Sequence, residues 1–104
     1  MAEFGRALAL YSGMLRITIS DTESGMGLVL EGRIAGPWVQ ELERVWVEMA
    51  PRLGSKKLSI DLRNVTYADA GGKRVLRSIF SQSGAKLVAN SLGIQDLAGE
   101  VAGK

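Results

Sequence analysis

The chain has 104 residues and a net charge of +2, a length that fits one domain. It contains neither cysteine nor histidine, which excludes disulfides, cysteine nucleophiles and the usual zinc, iron and copper ligand sets. Residues 52–86 carry eight basic and two acidic side chains. A basic segment can indicate an acidic partner or nucleic acid, but it is more often an ordinary solvated surface.

Residues 1–13 are predicted to form a flexible N-terminal tail. The tail has a short apolar patch preceded by Glu3, and the patch is shorter than the core of a signal peptide. No apolar run approaches the roughly 20 residues that cross a bilayer. We therefore expect a cytoplasmic protein without a membrane span.

The first structured elements are predicted to be a β-hairpin and a helix. Residues 14–20 alternate with Leu15, Ile17 and Ile19 on one side, and residues 26–34 form a second strand after a turn. Pro37 suits the first turn of a helix. Over residues 38–50 the apolar side chains fall on one helical face, namely Trp38, Leu42, Val45, Trp46 and Met49.

The second half alternates strands and helices. Residues 57–62 form a strand, followed by a short extended piece at 65–68 and by Asp69, a good N-cap for the next helix. That helix has two opposite arcs, one of Val75, Leu76, Ile79 and Phe80 and the other of Lys73, Arg74 and Arg77.

The end of the chain completes an α/β pattern with a partly parallel sheet. Residues 85–89 are predicted to form a covered strand and residues 91–98 a weak helix, and residues 99–104 should fray. The folded domain is therefore expected over residues 14–98.

No catalytic motif fits the sequence. A phosphate-binding P-loop needs glycine six positions before Lys73 and serine or threonine after it, where this chain has Tyr67 and Arg74. The two carboxylates of the basic segment are better explained as a strand-end residue, Asp61, and a helix cap, Asp69. We therefore expect a protein that is not an enzyme and needs no cofactor or metal.

The segment LSIDLRNVTYADAGGKRVL resembles the signature of STAS domains, in which a strand ending in Asp-Leu and a short extended piece precede Asp-Ser-Ser-Gly at the start of a helix. The upstream segment LVLEGRIAGPWVQELERVW resembles the second strand and first helix of the same family. The similarity covers roughly residues 14–97.

This resemblance implies a mixed central β-sheet of about four strands with helices mainly on one side, and no catalytic activity. It also implies a regulatory, anti-sigma factor antagonist-like module that binds a protein. The expected binding residues lie at the start and exposed face of the helix: Asp69, Ala70, Gly71, Gly72, Lys73, Arg74 and Arg77. The partner would be an anti-sigma factor or kinase in bacterial signalling and regulation of transcription, or a transporter component.

The sequence departs from the family at its switch position. In partner-switching members the first serine after the aspartate is phosphorylated, which adds charge at the interface. Here Ala70 and then Gly71 stand in place of the two serines. Three interpretations remain open: a permanently unphosphorylated-like binder, a module of a transport or lipid-trafficking system, or a member that has lost its switch.

Two further ligand classes are alternatives. Unpaired amides of residues 70–73 at the helix N-terminus could bind a nucleotide or another anion. Nucleic-acid binding is the weaker alternative, and no DNA partner is expected, because Tyr67 and Phe80 are the only aromatic residues of the basic segment and Phe80 should face the core.

Overall fold

The structure is a computed structural model that describes residues 6–12, 15–89 and 92–102. These residues form an α/β domain, as the sequence predicts. The elements in chain order are β1 Arg6–Ser12, β2 Leu15–Asp21, β3 Gly25–Ile34, α1 Pro37–Leu53, β4 Lys57–Ala68, α2 Ala70–Ser83, β5 Lys86–Val88 and α3 Leu92–Val101.

The strands lie in one mixed sheet in the order β1-β2-β3-β4-β5. β1, β2 and β3 pair antiparallel, whereas β3, β4 and β5 pair parallel, with α1 and α2 as the crossover helices. The carboxyl ends of β3 and β4 therefore meet at one edge of the sheet, where α1 and α2 begin. The amino ends of β3, β4 and β5 meet at the opposite edge.

The core lies on one face of the sheet. Strand residues in one phase are buried, and the opposite phase carries small and polar side chains that keep partial exposure. The buried faces of the helices join the same cluster as the buried strand residues. The buried strand residues are Leu15, Ile17, Met26, Leu28, Leu30, Ile34, Leu58, Ile60, Leu62, Val65 and Ala68.

β4 includes residues 65–68, which were predicted as a separate extended piece after the strand. Its pairing with β3 shifts register between Val29 and Glu31 and again between Gly32 and Arg33, which inserts an extra β4 residue each time. The buried positions of β4 accordingly change from every second residue to every third. The two bulges keep β4 against the core up to Ala68 and place Asp69 beside the end of β3.

Both crossover helices bury the predicted faces. In α1, Leu42, Val45, Trp46 and Met49 are buried, and Trp38 is packed against the core with partial exposure. In α2, Leu76 and Ile79 are buried, with Val75 and Phe80 packed around them. None of the helices in the described residues is long and apolar enough to cross a membrane.

The prediction of a tail over residues 1–13 is corrected in part. Arg6–Ser12 form strand β1, which pairs antiparallel with the whole of β2 as a fifth strand. The alternating alanines and leucines of this segment gave a weak strand signal, because alanine has a low β propensity. The other tail residues, 1–5 and 13, and Met14 at the expected start of the domain lie outside the described residues.

The expected fraying from residue 99 is also corrected. α3 continues to Val101, whose side chain is fully buried and lies one turn after the buried Leu97. An ion pair and a hydrogen bond from α2 to Glu100 hold the two helices together. The predicted helix start at residue 91 and the last residues, 103–104, lie outside the described residues.

Candidate functional site

Asp69 joins the starts of both crossover helices. Its backbone is extended, and its Oδ1 accepts a hydrogen bond from the amide of Gly72 at 2.7 Å, as an N-cap does. Its Oδ2 accepts a hydrogen bond from the amide of Gly36 at 3.1 Å, just before α1. The amide of Asp69 itself donates to the carbonyl of Ile34 at 3.1 Å. One side chain thus fixes the β3–α1 connection to the β4–α2 connection.

These contacts stabilise the charged form of Asp69. Hydrogen bonds from the Gly72 amide and then the Gly36 amide hold the pKa of Asp69 below its ordinary value of 3.8, against a smaller opposing effect of desolvation. The nearby Arg33 guanidinium lowers the pKa further. Asp69 is therefore ionised throughout the physiological pH range.

Gly72 is required by close packing. A Cβ at this position would lie 2.3 Å from the carbonyl oxygen of Ile34 and 2.9 Å from its Cγ2. Gly71 differs, because its Cβ would meet Asp69 Oδ1 at 3.5 Å and Val39 Cγ1 at 3.7 Å, which are ordinary contacts. Of the two neighbouring glycines, Gly72 is thus the one that the fold needs.

Ala70 is exposed at the first position of α2. Beside it, the carboxyl ends of β3 and β4 bring Arg33 over the ring of Tyr67, 4.5 Å from the centroid. Tyr67 is a large side chain with high exposure, at 46%. Sequence reasoning did not place Arg33 or Tyr67 at the site, although parallel pairing of β3 with β4 would have put both there.

The three cations of α2 have different surroundings. Lys73 Nζ forms an ion pair with Glu100 Oε1 at 2.7 Å, and Arg77 donates to the backbone carbonyl of Glu100 at 3.0 Å. Arg74 is exposed and has no ion-pair or hydrogen-bond partner among the described residues. Lys73 and Arg77 thus connect α2 to α3, and Arg74 is the cation that remains available for another molecule.

Asp61 is separate from this site. It faces the open side of the sheet and accepts hydrogen bonds from the side chain of Arg63 at 2.7 and 3.0 Å. These bonds hold the pKa of Asp61 below its ordinary value. A general acid needs a raised pKa near the working pH, so neither Asp61 nor Asp69 is suited to that role.

We refer to Asp69, Ala70, Gly71, Gly72, Lys73, Arg74 and Arg77 as the carboxyl-end site. Residues 69–74 lie at the start of α2, on the edge where β3 and β4 end, and Arg77 lies about one turn further along the helix. Within the described residues, no three carboxylate side chains are grouped closely enough to hold a metal ion. Comparison with protein-family models found no match for the chain, and comparison with curated proteins found none either.

Proposed function

We propose that this chain is a non-enzymatic regulatory module of the STAS type that binds a protein partner through the carboxyl-end site. The main support for the proposal is that the loop before α2 is held in place by internal contacts while the surface around it stays exposed. Asp69 and Gly72 fix the start of α2 against β3, while Ala70, Arg74 and Tyr67 remain exposed around it. A rigid exposed patch needs little ordering when a partner binds, which favours affinity.

The proposed interface combines an aromatic residue with arginines. Tyr67 and Arg33 are stacked on each other, and Arg74 lies on the neighbouring helix. Tyrosine and arginine are enriched in protein interfaces, where they often contribute much of the binding energy. The exposed cations at this edge favour a partner surface that carries carboxylates.

Anion binding at the start of α2 is the alternative, and the contacts of Asp69 argue against it. The amide of Gly72 already donates to the Asp69 carboxylate, as does the amide of Gly36. An incoming phosphate would have to displace this carboxylate and approach its negative charge. A protein surface can instead contact Ala70, Tyr67 and Arg74 without breaking either hydrogen bond.

The proposal includes constitutive binding, because Ala70 and Gly71 have no hydroxyl to accept phosphate. The partner is an anti-sigma factor or kinase if the chain belongs to the partner-switching branch. It is a component of a transport or lipid-trafficking system if the chain belongs to the other branch. Ala70 is exposed in either case and can report on the partner directly.

Site-specific photocrosslinking in the native cell tests the proposal. A benzophenone amino acid at position 70 should give a discrete crosslinked protein, whose identity distinguishes the two branches. The matched control carries the same group at Val47, which is 63% exposed on the outer face of α1. Position 47 should give no such product.

A second measurement links the crosslink to the site. Arg74→Glu should reduce the yield from position 70, because it reverses the charge that faces an acidic partner. A crosslink of equal yield from position 47, or a yield from position 70 that Arg74→Glu leaves unchanged, would contradict docking at the carboxyl-end site.

A further inference from the structure

The opposite edge of the sheet contains a depression that the proposed function does not use. It lies on the open face, where the amino ends of β3, β4 and β5 meet the end of β2, and its volume is about 360 Å³. This volume is in the range of small-molecule sites. We call the depression the amino-end depression and define it by Ser20, Gly27, Lys57, Ser59 and Lys86.

The register of the sheet builds this depression. Ser20 is paired with Gly27, Gly27 with Ser59, and Ser59 with Lys86, so that this row has short side chains or none on three strands and a lysine on the fourth. A Cβ at Gly27 would lie only 2.7 Å from Ser20 Oγ. The missing side chain of Gly27 therefore keeps the floor of the depression open.

The polar groups around the depression are available to a ligand. Lys57 and Lys86 are exposed, and neither has an ion-pair partner in the part of the chain that the structure describes. The hydroxyls of Ser20 and Ser59 likewise have no hydrogen-bond partner among those residues. The adjacent Lys56 differs, because it is neutralised by Asp21 at 2.8 Å.

We propose that the amino-end depression binds a small soluble molecule through a phosphate group. Two ammonium groups and two hydroxyls supply the donors that the several acceptor oxygens of a phosphate require, and lysine is a common phosphate ligand. The depression does not suit an extended polyanion such as a nucleic acid or a membrane. Further along the same face, Arg16 and Arg63 form ion pairs with Glu31 and Asp61, so the unpaired positive charge of the depression does not continue along a longer ligand.

The proposed phosphate site can be tested by titrating the full chain with inorganic pyrophosphate and monitoring the amide chemical shifts by NMR. A parallel titration with chloride at matched ionic strength controls for screening. Pyrophosphate should produce saturable shifts that are largest at Gly25, Gly27, Ser59 and Lys86. Non-saturable shifts, or shifts centred on Gly71 and Gly72, would overturn the proposal.

Single substitutions test whether the charges of the two lysines are responsible for pyrophosphate binding. Lys57→Gln and Lys86→Gln should each weaken pyrophosphate binding by about tenfold, since each removes a charge-assisted hydrogen bond. Arg74→Gln removes the same charge from α2 and should leave the affinity unchanged. If all three variants weakened pyrophosphate binding equally, the attraction would be non-specific, and this result would contradict a defined site at the depression.

Gly27→Ala tests whether the shape of the depression matters for binding, because it changes no charge. Its methyl group would fill the floor beside Ser20 Oγ and should reduce binding severalfold while every lysine is kept. Circular dichroism of each variant establishes that the loss does not come from unfolding. Unchanged affinity in folded Gly27→Ala would show that the ligand does not enter the depression.

Discussion

The two edges of the parallel β3–β4 pair are built differently. At the carboxyl edge, the amides of Gly36 and Gly72 bind one carboxylate, and a glycine packs against backbone. At the amino edge, Lys57 and Lys86 lack ion-pair partners among the described residues, and a Cβ at Gly27 would meet serine side chains rather than backbone. The first edge is organised by contacts within the chain, whereas the second leaves polar groups available.

The two edges therefore suggest two different kinds of binding site. A preorganised surface suits docking of a large partner, because few groups must be ordered on binding. An open depression with unpaired donors suits a small ligand that completes the hydrogen bonding. The comparison can be tested by making matched changes at the two edges.

The largest expected effect on stability comes from replacing a glycine by alanine, and the same change can be made at both edges. Gly72→Ala should lower the free energy of unfolding by about 3 kcal/mol, because the new Cβ meets the backbone oxygen of Ile34, which cannot move without shifting β3. Gly27→Ala should cost less than about 1 kcal/mol, because the Ser20 hydroxyl can rotate away. Urea denaturation measures both.

Gly71→Ala provides the internal control at the carboxyl edge. Its Cβ would make only ordinary contacts, so this variant should be as stable as the wild type or slightly more stable. Equal destabilisation by Gly71→Ala and Gly72→Ala would contradict a close-packing requirement specific to Gly72.

The next effect concerns the charge of Asp69. Because its folded-state pKa lies below 3.8, the carboxylate stabilises the fold above pH 3.8, and this contribution is lost as the pH falls through the folded-state pKa. Asp69→Asn should therefore be less stable than the wild type at neutral pH. The two melting temperatures should converge below pH 3.8. A difference that persists unchanged well below pH 3.8, where the carboxyl group becomes protonated, would mean that it does not come from the charge of Asp69.

The sequence predicted much of the carboxyl edge because its signals are local. Period-two alternation marked β2, β3 and the first half of β4, and Asp69 followed by a helical apolar arc marked the start of α2. The Asp69 bond to Gly36 joins residues 33 positions apart, and no local pattern carries that information. Lys73, Arg74 and Arg77 were predicted on the exposed face of α2, opposite its apolar residues. The contacts of Lys73 and Arg77 with Glu100 were not predicted, because α3 was expected to end at residue 98.

The amino edge was not predicted, for a related reason. The serines, glycine and lysines of the depression come from four strands, and only the register of the sheet places them in one row. Residues 26–34 were predicted as a strand, which the structure confirms with a start one residue earlier, at Gly25. The role of Gly27 as an open floor depends on Ser20, which is its partner across the antiparallel ladder.

A smaller effect on the fold is expected from placing a serine at position 70, where the STAS domains that the chain resembles have one. Ala70→Ser changes an exposed position and should alter the free energy of unfolding by less than about 0.5 kcal/mol. If the partner is an anti-sigma kinase, the variant should become phosphorylated at position 70 and bind the kinase more weakly, because phosphate adds negative charge at the interface. Mass spectrometry detects the modification. Phosphate on Thr66 or Tyr67 of the wild type would contradict constitutive binding.

The most direct test of docking at the carboxyl-end site is the rate of association with the partner identified by crosslinking, measured at two salt concentrations. Arg74→Gln should slow association and flatten its salt dependence, because an exposed interface charge acts mainly on the association rate. Lys86→Gln removes the same charge at the other edge and should leave the rate at the wild-type value. Equal rates for the wild type and Arg74→Gln, or a slower rate for Lys86→Gln alone, would contradict the account.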